Sequence, residues 1–321
     1  MSAPERIVTA SLRARLGSGK AWPVPLSFAL GTPSRAGTPE GDVPGHGSEL
    51  AVTAPLMGSN KRRILVHGHR GARARRPENT LPAFRYAIEQ GVDALELDVA
   101  VTKDNVPVVL HDPVINKDIC SGPKTGIPIY TLTLAELKEY DCGAKQNPLF
   151  QTQVPVPGAR VPTLDEVFDL GRGNNVQFNV ETKIFADHPE LTPGPDAFTK
   201  LILELIRDHG IEQRVILASF DPRTLRVMKK LGPSIRRAAL FEVEREWPEV
   251  AREFEATHLN PLYSLVTKER VSWAHSGGLE VVPWTVNQPG DWAKLADDGV
   301  DAIISDDPAS LIAWLKEKGL R

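Results

Sequence analysis

The amino-acid sequence predicts an α/β fold, a (β/α)8 TIM barrel with an insertion after the second strand and its hairpin. From residue 64 to the C-terminus, short apolar segments alternate with amphipathic helical segments. This alternation is typical of a parallel sheet. When the return arm of the hairpin is left out, eight strand–helix units can be counted, which is the number that closes a barrel. An open, doubly wound sheet is the alternative.

The first units are marked by clear boundary signals. Ile64–Val66 is a short apolar strand, and Ala94–Val99 is the second strand. Between them, Thr80 can cap a helix, Pro82 is tolerated in its first turn, and Gly91 ends it.

A β-hairpin is predicted where the strand–helix alternation is interrupted. Val99–Thr102 and Val106–Val109 are apolar arms around a turn, and Asn105 tolerates the positive φ that the turn needs. If the arms pair antiparallel, His111 returns beside the carboxylates that end the second strand.

Regular alternation resumes after an insertion of about residues 113–162, which has no strong period. Capping boxes at Thr133–Glu136 and Thr163–Glu166 predict a short helix in the insertion and the helix Leu164–Leu170. The strands that follow are Val176–Glu181, Val215–Ser219, Ala238–Phe241, His258–Leu259, Glu280–Thr285 and Asp301–Ile304. The helices after these strands are, in order, Ala197–Asp208, a helix that begins at Asp221 and Pro222, Pro248–Ala256, Lys268–His275, Gly290–Asp297 and Pro308–Lys318.

The N-terminal sixty residues differ in composition from the rest. They are rich in Gly, Pro, Ser and Thr, and Gly31–Ser48 is close to low complexity. Such a segment buries too little apolar surface to offset its ordering entropy. The predicted domains are therefore a disordered tail, residues 1–60, and a (β/α)8 domain, residues 61–321. Ala21–Gly31 is a poor secretion signal, so a cytoplasmic location is favoured over export.

Composition limits the kinds of partner. The net charge of −3 provides no basic field for nucleic acid or an anionic membrane. No apolar run is long enough to serve as a membrane anchor. Cys120 and Cys142 are more simply explained as two free thiols than as a disulfide. The oligomeric state is left open.

Three carboxylates are expected to meet at the C-terminal ends of the strands, where barrel enzymes have their sites. Glu96 and Asp98 leave the same face of strand two, and Glu181 ends the next strand. Their mutual repulsion favours a hard divalent ion, Mg²⁺ or Ca²⁺. The alternative is that Arg70 or Lys183 pairs with them.

Two histidines are candidates for a general acid and a general base. His69 and His111 map beside the carboxylates, whereas a single histidine is more often a hydrogen-bonded structural residue. His67 shares the face of His69 and is expected to lie behind it. The other histidines have no comparable setting.

Cations and aromatic residues complete the candidate site. Arg70 and Lys183, together with a metal, could bind a phosphate, the arrangement needed for phosphodiester cleavage. The alternative is that they only neutralise the carboxylates. Trp284 could form an apolar wall for a leaving alcohol, with Phe220 also at the mouth; packing inside the barrel is the alternative for Trp284.

Several motifs resemble the glycerophosphodiester phosphodiesterase family from about Ile64 to the C-terminus. Asn105 stands where the family usually has Gly. The motifs are His69-Arg70-Gly71-Ala72, Pro77-Glu78-Asn79-Thr80, Glu96-Leu97-Asp98-Val99, Thr102-Lys103-Asp104, Pro107-Val108-Val109, His111-Asp112, Val180-Glu181-Thr182-Lys183, Ser219-Phe220 and Trp284-Thr285-Val286-Asn287.

The resemblance implies metal-dependent hydrolysis of glycerophosphodiesters to glycerol 3-phosphate and an alcohol. It implies that Glu96, Asp98 and Glu181 hold the metal, that His69 and His111 are the acid–base pair, and that Arg70 and Lys183 contact the phosphate. The roles of the two histidines, and water against a cyclic phosphate route, are left open. The alternatives are a phosphodiesterase acting on intact lysolipids, sphingomyelin or phosphoinositides, and a catalytically silent scaffold.

Overall fold

The computed structural model describes residues 63–321, in which eight parallel strands form a barrel and a ninth strand pairs with one of them. The predicted N-terminal tail lies outside the described residues. The strands are β1 (Leu65–Gly68), β2 (Ala94–Val101), β3 (Pro107–Val109), β4 (Gln177–Thr182), β5 (Val215–Ser219), β6 (Arg236–Phe241), β7 (His258–Pro261), β8 (Glu280–Val281) and β9 (Ala302–Ser305).

Helices follow the strands in the order that the sequence predicts, and their boundary residues act as expected. Thr80 accepts a hydrogen bond from the Ala83 amide, and Gly91 adopts a left-handed conformation with φ 85°. The helices are α1 (Leu81–Gln90), α2 (Leu134–Leu137), α3 (Leu164–Asp169), α4 (Pro195–Asp208), α5 (Pro222–Leu231), α6 (Trp247–Phe254), α7 (Lys268–Ser276), α8 (Pro289–Asp298) and α9 (Pro308–Glu317).

The strands follow one another around the barrel in the order β9, β1, β2, β4, β5, β6, β7, β8. Backbone bonds from Asp301 to Val281 and from Ile304 to Pro283, 3.0 Å each, join the two ends. The predicted closed barrel is therefore confirmed, and the open sheet is excluded. Strand β8 is shorter than predicted because Pro283 has no amide hydrogen to donate.

The predicted hairpin is confirmed. β2 pairs antiparallel with β3, with Val99 opposite Val109 and Val101 opposite Pro107. Asn105 occupies the turn with a φ of 61°, as the sequence suggested. The hairpin lengthens β2 beyond the barrel rim and returns the chain to the mouth at His111.

Two sets of side chains alternate along the strands because successive residues leave opposite faces of a sheet. One set is apolar and packs against the helices, with Leu95, Leu97 and Val180 fully buried in the main core cluster. Burying each such side chain stabilises the fold by about 1.5–3 kcal/mol. The other set fills the barrel interior and includes the small Ala218 and Ala238.

The insertion, residues 113–162, has a small core of its own, which includes Ile115, Ile129 and Leu137. Cys120 and Cys142 are joined by a disulfide within this core. The expectation of two free thiols is therefore wrong. The physical reason is tertiary: antiparallel bridges from Asp141 to Ser121 bring the two segments together.

Among residues 63–321, no helix combines the length and apolar character that a membrane span requires.

Candidate active site

The ionisable residues converge where four neighbouring strands end. β9, β1, β2 and β4 lie side by side, and Gly68 of β1 is level with Ser305 of β9. On the other side, Asp98 of β2 is level with Glu181 of β4. Side chains that end these four strands therefore share one part of the mouth.

Three carboxylates come together as the sequence predicts. Ligand atoms of Glu96, Asp98 and Glu181 all lie within 4.8 Å of one another, and each residue is buried. Burial and the neighbouring carboxylates raise the pKa of Glu96 well above its usual value. Burial also raises the pKa of Glu181, to about 7, although Lys183 opposes the shift. Carboxylates that resist ionising in this way lack a sufficient counter-charge.

Cations lie among these carboxylates. Lys183 Nζ donates to Glu181 Oε1 at 2.7 Å and lies 3.5 Å from Asp98 Oδ1. Arg70 Nε lies 3.3 Å from Asp98 Oδ2. Burial raises the pKa of Asp98, but His111 and the two cations outweigh burial and hold that pKa well below its usual value. The alternative in which cations pair with the carboxylates thus describes part of this geometry.

The charges nevertheless do not balance. Around the site, carboxylates outnumber permanently charged cations by two to one, so a divalent ion fits the charge that is left over. The carboxylates are Glu78, Glu96, Asp98, Asp112, Glu181 and Asp306, and the cations are Arg70, Arg73 and Lys183.

A tight turn after β1 places Arg70 and its backbone. Arg70 has a φ of 49°, and its amide donates to Glu96 Oε2 at 2.8 Å. Gly71 follows with a φ of 87°, and a Cβ there would lie 2.8 Å from a backbone carbon of Ala83. Only glycine fits this position, because the turn packs directly against α1.

Both candidate histidines have Nδ1 engaged by an aspartate. His69 Nδ1 is 2.5 Å from Asp306 Oδ1, and His69 Nε2 is 3.9 Å from Glu96 Oε2. His111 Nδ1 is 2.8 Å from Asp112 Oδ1. Burial, with Arg70 and Lys183 nearby, lowers the pKa of His111 to about 4, and burial also lowers the pKa of His69.

His67 does not reach this cluster. It lies inside the barrel, two residues before His69 and on the same face of the strand. Its Nδ1 is 3.3 Å from Asn179 Nδ2. Burial lowers its pKa to about 4, so it is neutral at physiological pH. We interpret His67 as a barrel-core residue beneath the site.

Aromatic residues follow two other strands of the barrel, β5 and β8. The rings of Phe220, after β5, and Trp284, after β8, meet edge to face with centroids 5.6 Å apart. Trp284 donates from Nε1 to the Asn260 carbonyl at 2.8 Å, and it packs on apolar residues inside the barrel. Phe220 is 42% exposed. The packing alternative for Trp284 is thus part of its environment.

With this geometry established, comparison with known proteins identifies the family. The model of the glycerophosphoryl diester phosphodiesterase family matches residues 69–310. The chain belongs to this family. As a member, it is an enzyme, a glycerophosphodiester phosphodiesterase. The resemblance that the motifs suggested is confirmed, and the silent scaffold is set aside.

Two relatives of the phosphodiesterase match about four fifths of its chain. A glycerophosphodiester phosphodiesterase from Caldanaerobacter subterraneus subsp. tengcongensis is 34% identical over 258 residues, which are 80% of this chain and 100% of that protein. A solved Oleispira antarctica phosphodiesterase, in complex with the product sn-glycerol-3-phosphate, is 26% identical with a TM-score of 0.68. The match covers 79% of this chain and 97% of that one.

Sequence reasoning about the phosphodiesterase did not assign contacts to Glu78, Asn79 and Asp306. Glu78 accepts from Arg70 Nη1 at 2.6 Å and from Arg73 Nε at 2.7 Å. Asn79 Nδ2 donates to Asp98 Oδ2 at 2.8 Å. The available signals were the position of Asp306 directly after β9 and the Pro77–Thr80 motif that contains Glu78 and Asn79. Nothing in their spacing says which partner each one takes.

Proposed function

We propose that this phosphodiesterase is a metal-dependent hydrolase that releases glycerol 3-phosphate and an alcohol from small, water-soluble glycerophosphodiesters. The observation that carries this proposal is the position of three buried carboxylates beside two histidines whose Nδ1 atoms are already engaged. The family membership supplies the substrate class. Glycerol 3-phosphate in the related Oleispira antarctica structure supports the product.

Glu96, Asp98 and Glu181 would hold the divalent ion, either Mg²⁺ or Ca²⁺. All three donors are carboxylate oxygens, which are hard ligands. The excess of negative charge and the raised pKa values of Glu96 and Glu181 support a cation at this position. When bound, the ion supplies positive charge that offsets the charge of the phosphodiester.

Arg70 and Lys183 bind the phosphate oxygens. Both side chains are at the edge of the carboxylate cluster, where each already donates to or faces a carboxylate. A bound metal would take over part of that pairing and leave donors available for the substrate. Charge-assisted bonds from these cations favour the pentacoordinate transition state, because negative charge on its oxygens increases.

His69 and His111 move the protons. One histidine accepts a proton from the nucleophile at Nε2 as the new P–O bond forms. The other donates a proton from Nε2 to the leaving alkoxide as the old P–O bond breaks. The nucleophile is water or the neighbouring glycerol hydroxyl, which would give a cyclic phosphate that water then opens. Hydrolysis in ¹⁸O water with trapping of the intermediate separates these two routes.

Phe220 and Trp284 form an apolar wall against the alcohol of the substrate. Their edge-to-face contact orders the pair, and the exposure of Phe220 leaves surface for a ligand. The wall follows β5 and β8, whereas the phosphate-binding cations follow β1 and β4, so it sorts substrates by the alcohol and not by the phosphate.

The compartment follows from the disulfide more than from the N-terminal composition. Cytosolic reductants keep thiols reduced, and a buried disulfide between Cys120 and Cys142 favours an oxidising compartment. This favours export over the cytoplasmic location that the sequence suggested.

A substrate panel tests the proposed function. Purified protein is assayed on glycerophosphocholine, glycerophosphoethanolamine and glycerophosphoglycerol, and on lysophosphatidylcholine, each with Mg²⁺, with Ca²⁺ and with excess chelator. We expect metal-dependent release of glycerol 3-phosphate from the soluble diesters. Faster cleavage of the lysolipid would favour the lipid-directed alternative, and undiminished turnover in excess chelator would contradict a metal role.

A further inference from the structure

Each candidate catalytic histidine ends a series of three side chains that are linked by hydrogen bonds. On one side of the site, His69 Nδ1 lies 2.5 Å from Asp306 Oδ1. The second oxygen of Asp306 accepts from Asn287 Nδ2 at 2.8 Å. Asn287 Oδ1 in turn accepts from the Asp306 backbone amide at 3.0 Å and from the Ser305 hydroxyl at 3.1 Å.

The second histidine has the same arrangement, built from an unrelated part of the chain. His111 Nδ1 lies 2.8 Å from Asp112 Oδ1. The other oxygen of Asp112 accepts from Asn116 Nδ2 at 2.6 Å. Asn116 Oδ1 accepts from the Asp118 backbone amide at 2.9 Å. Both series of hydrogen bonds therefore run from histidine to aspartate, then to asparagine and then to a backbone amide.

The backbone amide fixes the direction of every bond in the chain. A backbone amide can only donate, so the asparagine oxygen must face it and the asparagine nitrogen must face the aspartate. An ionised carboxylate can only accept, so its remaining oxygen requires a proton on histidine Nδ1. A neutral histidine with a proton on Nδ1 has its lone pair on Nε2. Nε2 of His69 is the atom that faces Glu96.

We propose that Asp306 with Asn287, and Asp112 with Asn116, are two matched pairs of positioning residues that hold His69 and His111 in one tautomer, with Nε2 toward the reacting phosphate. The inference rests on the proposed roles of the two histidines. Each asparagine donates to an aspartate and so acts on the histidine through that aspartate. With Nδ1–H bound to the aspartate on both sides, the base accepts a proton at its bare Nε2. The acid first takes up a second proton from solvent at Nε2, becomes an imidazolium that its aspartate stabilises, and then donates that proton to the leaving alkoxide.

The two chains are built into the fold differently. Asn287 follows β8 and Asp306 follows β9, so the first chain forms only where the barrel closes. The second lies within eight residues at the start of the insertion, where the Asn116 carbonyl accepts from the Cys120 amide at 2.8 Å. Barrel closure and the disulfide-bonded insertion thus each position one histidine.

Asp306→Asn and Asp112→Asn test the proposal most directly. In either variant Nδ2 of the native Asn287 or Asn116 still donates toward residue 306 or 112. The asparagine introduced there therefore turns its Oδ1 toward that donor. Its nitrogen then donates to histidine Nδ1 and drives the proton to Nε2. We expect kcat to fall by about 10²–10⁴-fold, the effect of a wrong histidine tautomer, with KM nearly unchanged.

A double variant provides a rescue that only the tautomer explanation predicts. In Asp306→Asn with Asn287→Asp, one new carboxylate oxygen still accepts from the backbone amide and from Ser305. The other oxygen of the carboxylate at residue 287 accepts from the amide nitrogen introduced at residue 306. The amide oxygen at residue 306 then again faces His69 Nδ1. We expect kcat to recover by about tenfold or more over the Asp306→Asn single variant.

A remote pair serves as the matched control. His209 Nε2 lies 2.8 Å from Asp165 Oδ1 on the outside of the barrel, so Asp165→Asn removes a similar histidine–aspartate contact. We expect wild-type kcat in this variant. ¹⁵N NMR of the histidine rings in the full-length wild-type protein reads the tautomers without any substitution, and we expect both active-site histidines to carry the proton on Nδ1 at neutral pH.

The outcomes separate this inference from the proposed function. Wild-type kcat in both aspartate variants, failure of the double variant to recover, or an Nε2-protonated tautomer in the wild type would each overturn the inference while metal-dependent hydrolysis stands. If the wild type hydrolyses no glycerophosphodiester, the proposed function fails, and the NMR spectrum still decides the tautomers. If an aspartate variant does not fold, the NMR experiment on the wild type remains decisive.

Discussion

The two halves of the barrel mouth differ in chemistry although the same strand–helix unit builds both. The ends of β9, β1, β2 and β4 carry the carboxylates, cations and His69, and the hairpin adds His111 to this half. The ends of β5 to β8 carry the aromatic pair, and none of the three clustered buried carboxylates comes from them. Reactive groups thus come from adjacent strands, where backbone pairing fixes their register. We call these regions the charged half and the apolar half.

The two halves differ in how their buried groups affect the stability of the fold. In the charged half, buried carboxylates repel one another, and two of them have raised pKa values as a result. The apolar half has no such conflict, because Trp284 satisfies its indole nitrogen and packs on apolar neighbours. We expect substitutions in the charged half to affect catalysis strongly and those in the apolar half to affect substrate choice.

Metal removal should have the largest effect. Excess chelator is expected to abolish hydrolysis of glycerophosphocholine, and Mg²⁺ or Ca²⁺ should restore it. Glu181→Gln should raise the metal concentration needed for half-maximal activity, because one of three ligands is lost. Glutamate 269, exposed on α7, offers a matched control: Glu269→Gln should leave the metal requirement unchanged.

Loss of either histidine should have the next largest effect. His69→Ala and His111→Ala are each expected to lower kcat by about 10²–10⁴-fold, the usual contribution of general acid–base catalysis. Steady-state kinetics with saturating metal measure this. Turnover near the wild-type value in either variant would remove that histidine from the mechanism. His188→Ala, in an exposed pair with Glu190, is the control.

Changes in the apolar half should be smaller and selective. Phe220→Ala and Trp284→Ala are expected to raise KM by up to about tenfold, since an ordered aromatic contact contributes about 0.5–1.5 kcal/mol. Substrates with larger alcohols should be affected more, and kcat should change little. An equal loss for all alcohols would show that the aromatic pair does not select substrates. Trp273→Ala, on the outer surface of α7, is the control.

The smallest effect is on stability and concerns pH. The pKa of Glu181 is about 7 in the folded protein, above its usual 4.5, so the folded state binds the proton more tightly than the unfolded state. The contribution of Glu181 to the stability of the metal-free protein should therefore fall as pH rises from about 4.5 to 7. His67 and His111, with pKa values lowered to about 4, act in the opposite direction, so the contribution of Glu181 is the difference between the wild type and Glu181→Gln. Each kcal/mol corresponds to about 2–4 °C in the melting temperature of a domain of this size.

Calorimetry across this pH range checks the effect and extends the comparison between the halves. Saturating Mg²⁺ or Ca²⁺ should suppress the contribution of Glu181 to the pH dependence, and Glu181→Gln should remove that contribution from the metal-free protein. Phe220→Ala, in the apolar half, should retain the full dependence. Equal pH dependence in the metal-free wild type and the metal-free Glu181→Gln variant would contradict the raised pKa of Glu181.

The parts of the fold and site that depend on local pattern could be predicted from the sequence. The hairpin was predictable because its arms are apolar and Asn105 tolerates its φ of 61°. Once the hairpin was placed, His111 and the strand-end carboxylates followed from the geometry of a barrel. The motifs then matched the family that the comparison identifies.

Contacts between distant residues could not be predicted in the same way. His69 and Asp306 are 237 residues apart and meet only because β9 closes on β1. Both could be placed at the mouth, but their pairing depends on register and rotamers. Cys120 and Cys142 lie in a segment without a period, so no local signal placed them together. Strand β8 is short because Pro283 has no amide hydrogen to donate, and an apolar strand pattern does not take this into account.

The Cys120–Cys142 bridge also governs how a sample of this protein must be handled. Closing a loop of this length contributes about 3 kcal/mol, so a reductant strong enough to open it would loosen the segment that holds Asn116. Thiol titration in denaturant should find no free sulfhydryl groups before reduction and two afterwards. Preparations that differ in this titre are different materials, and their activities should not be averaged.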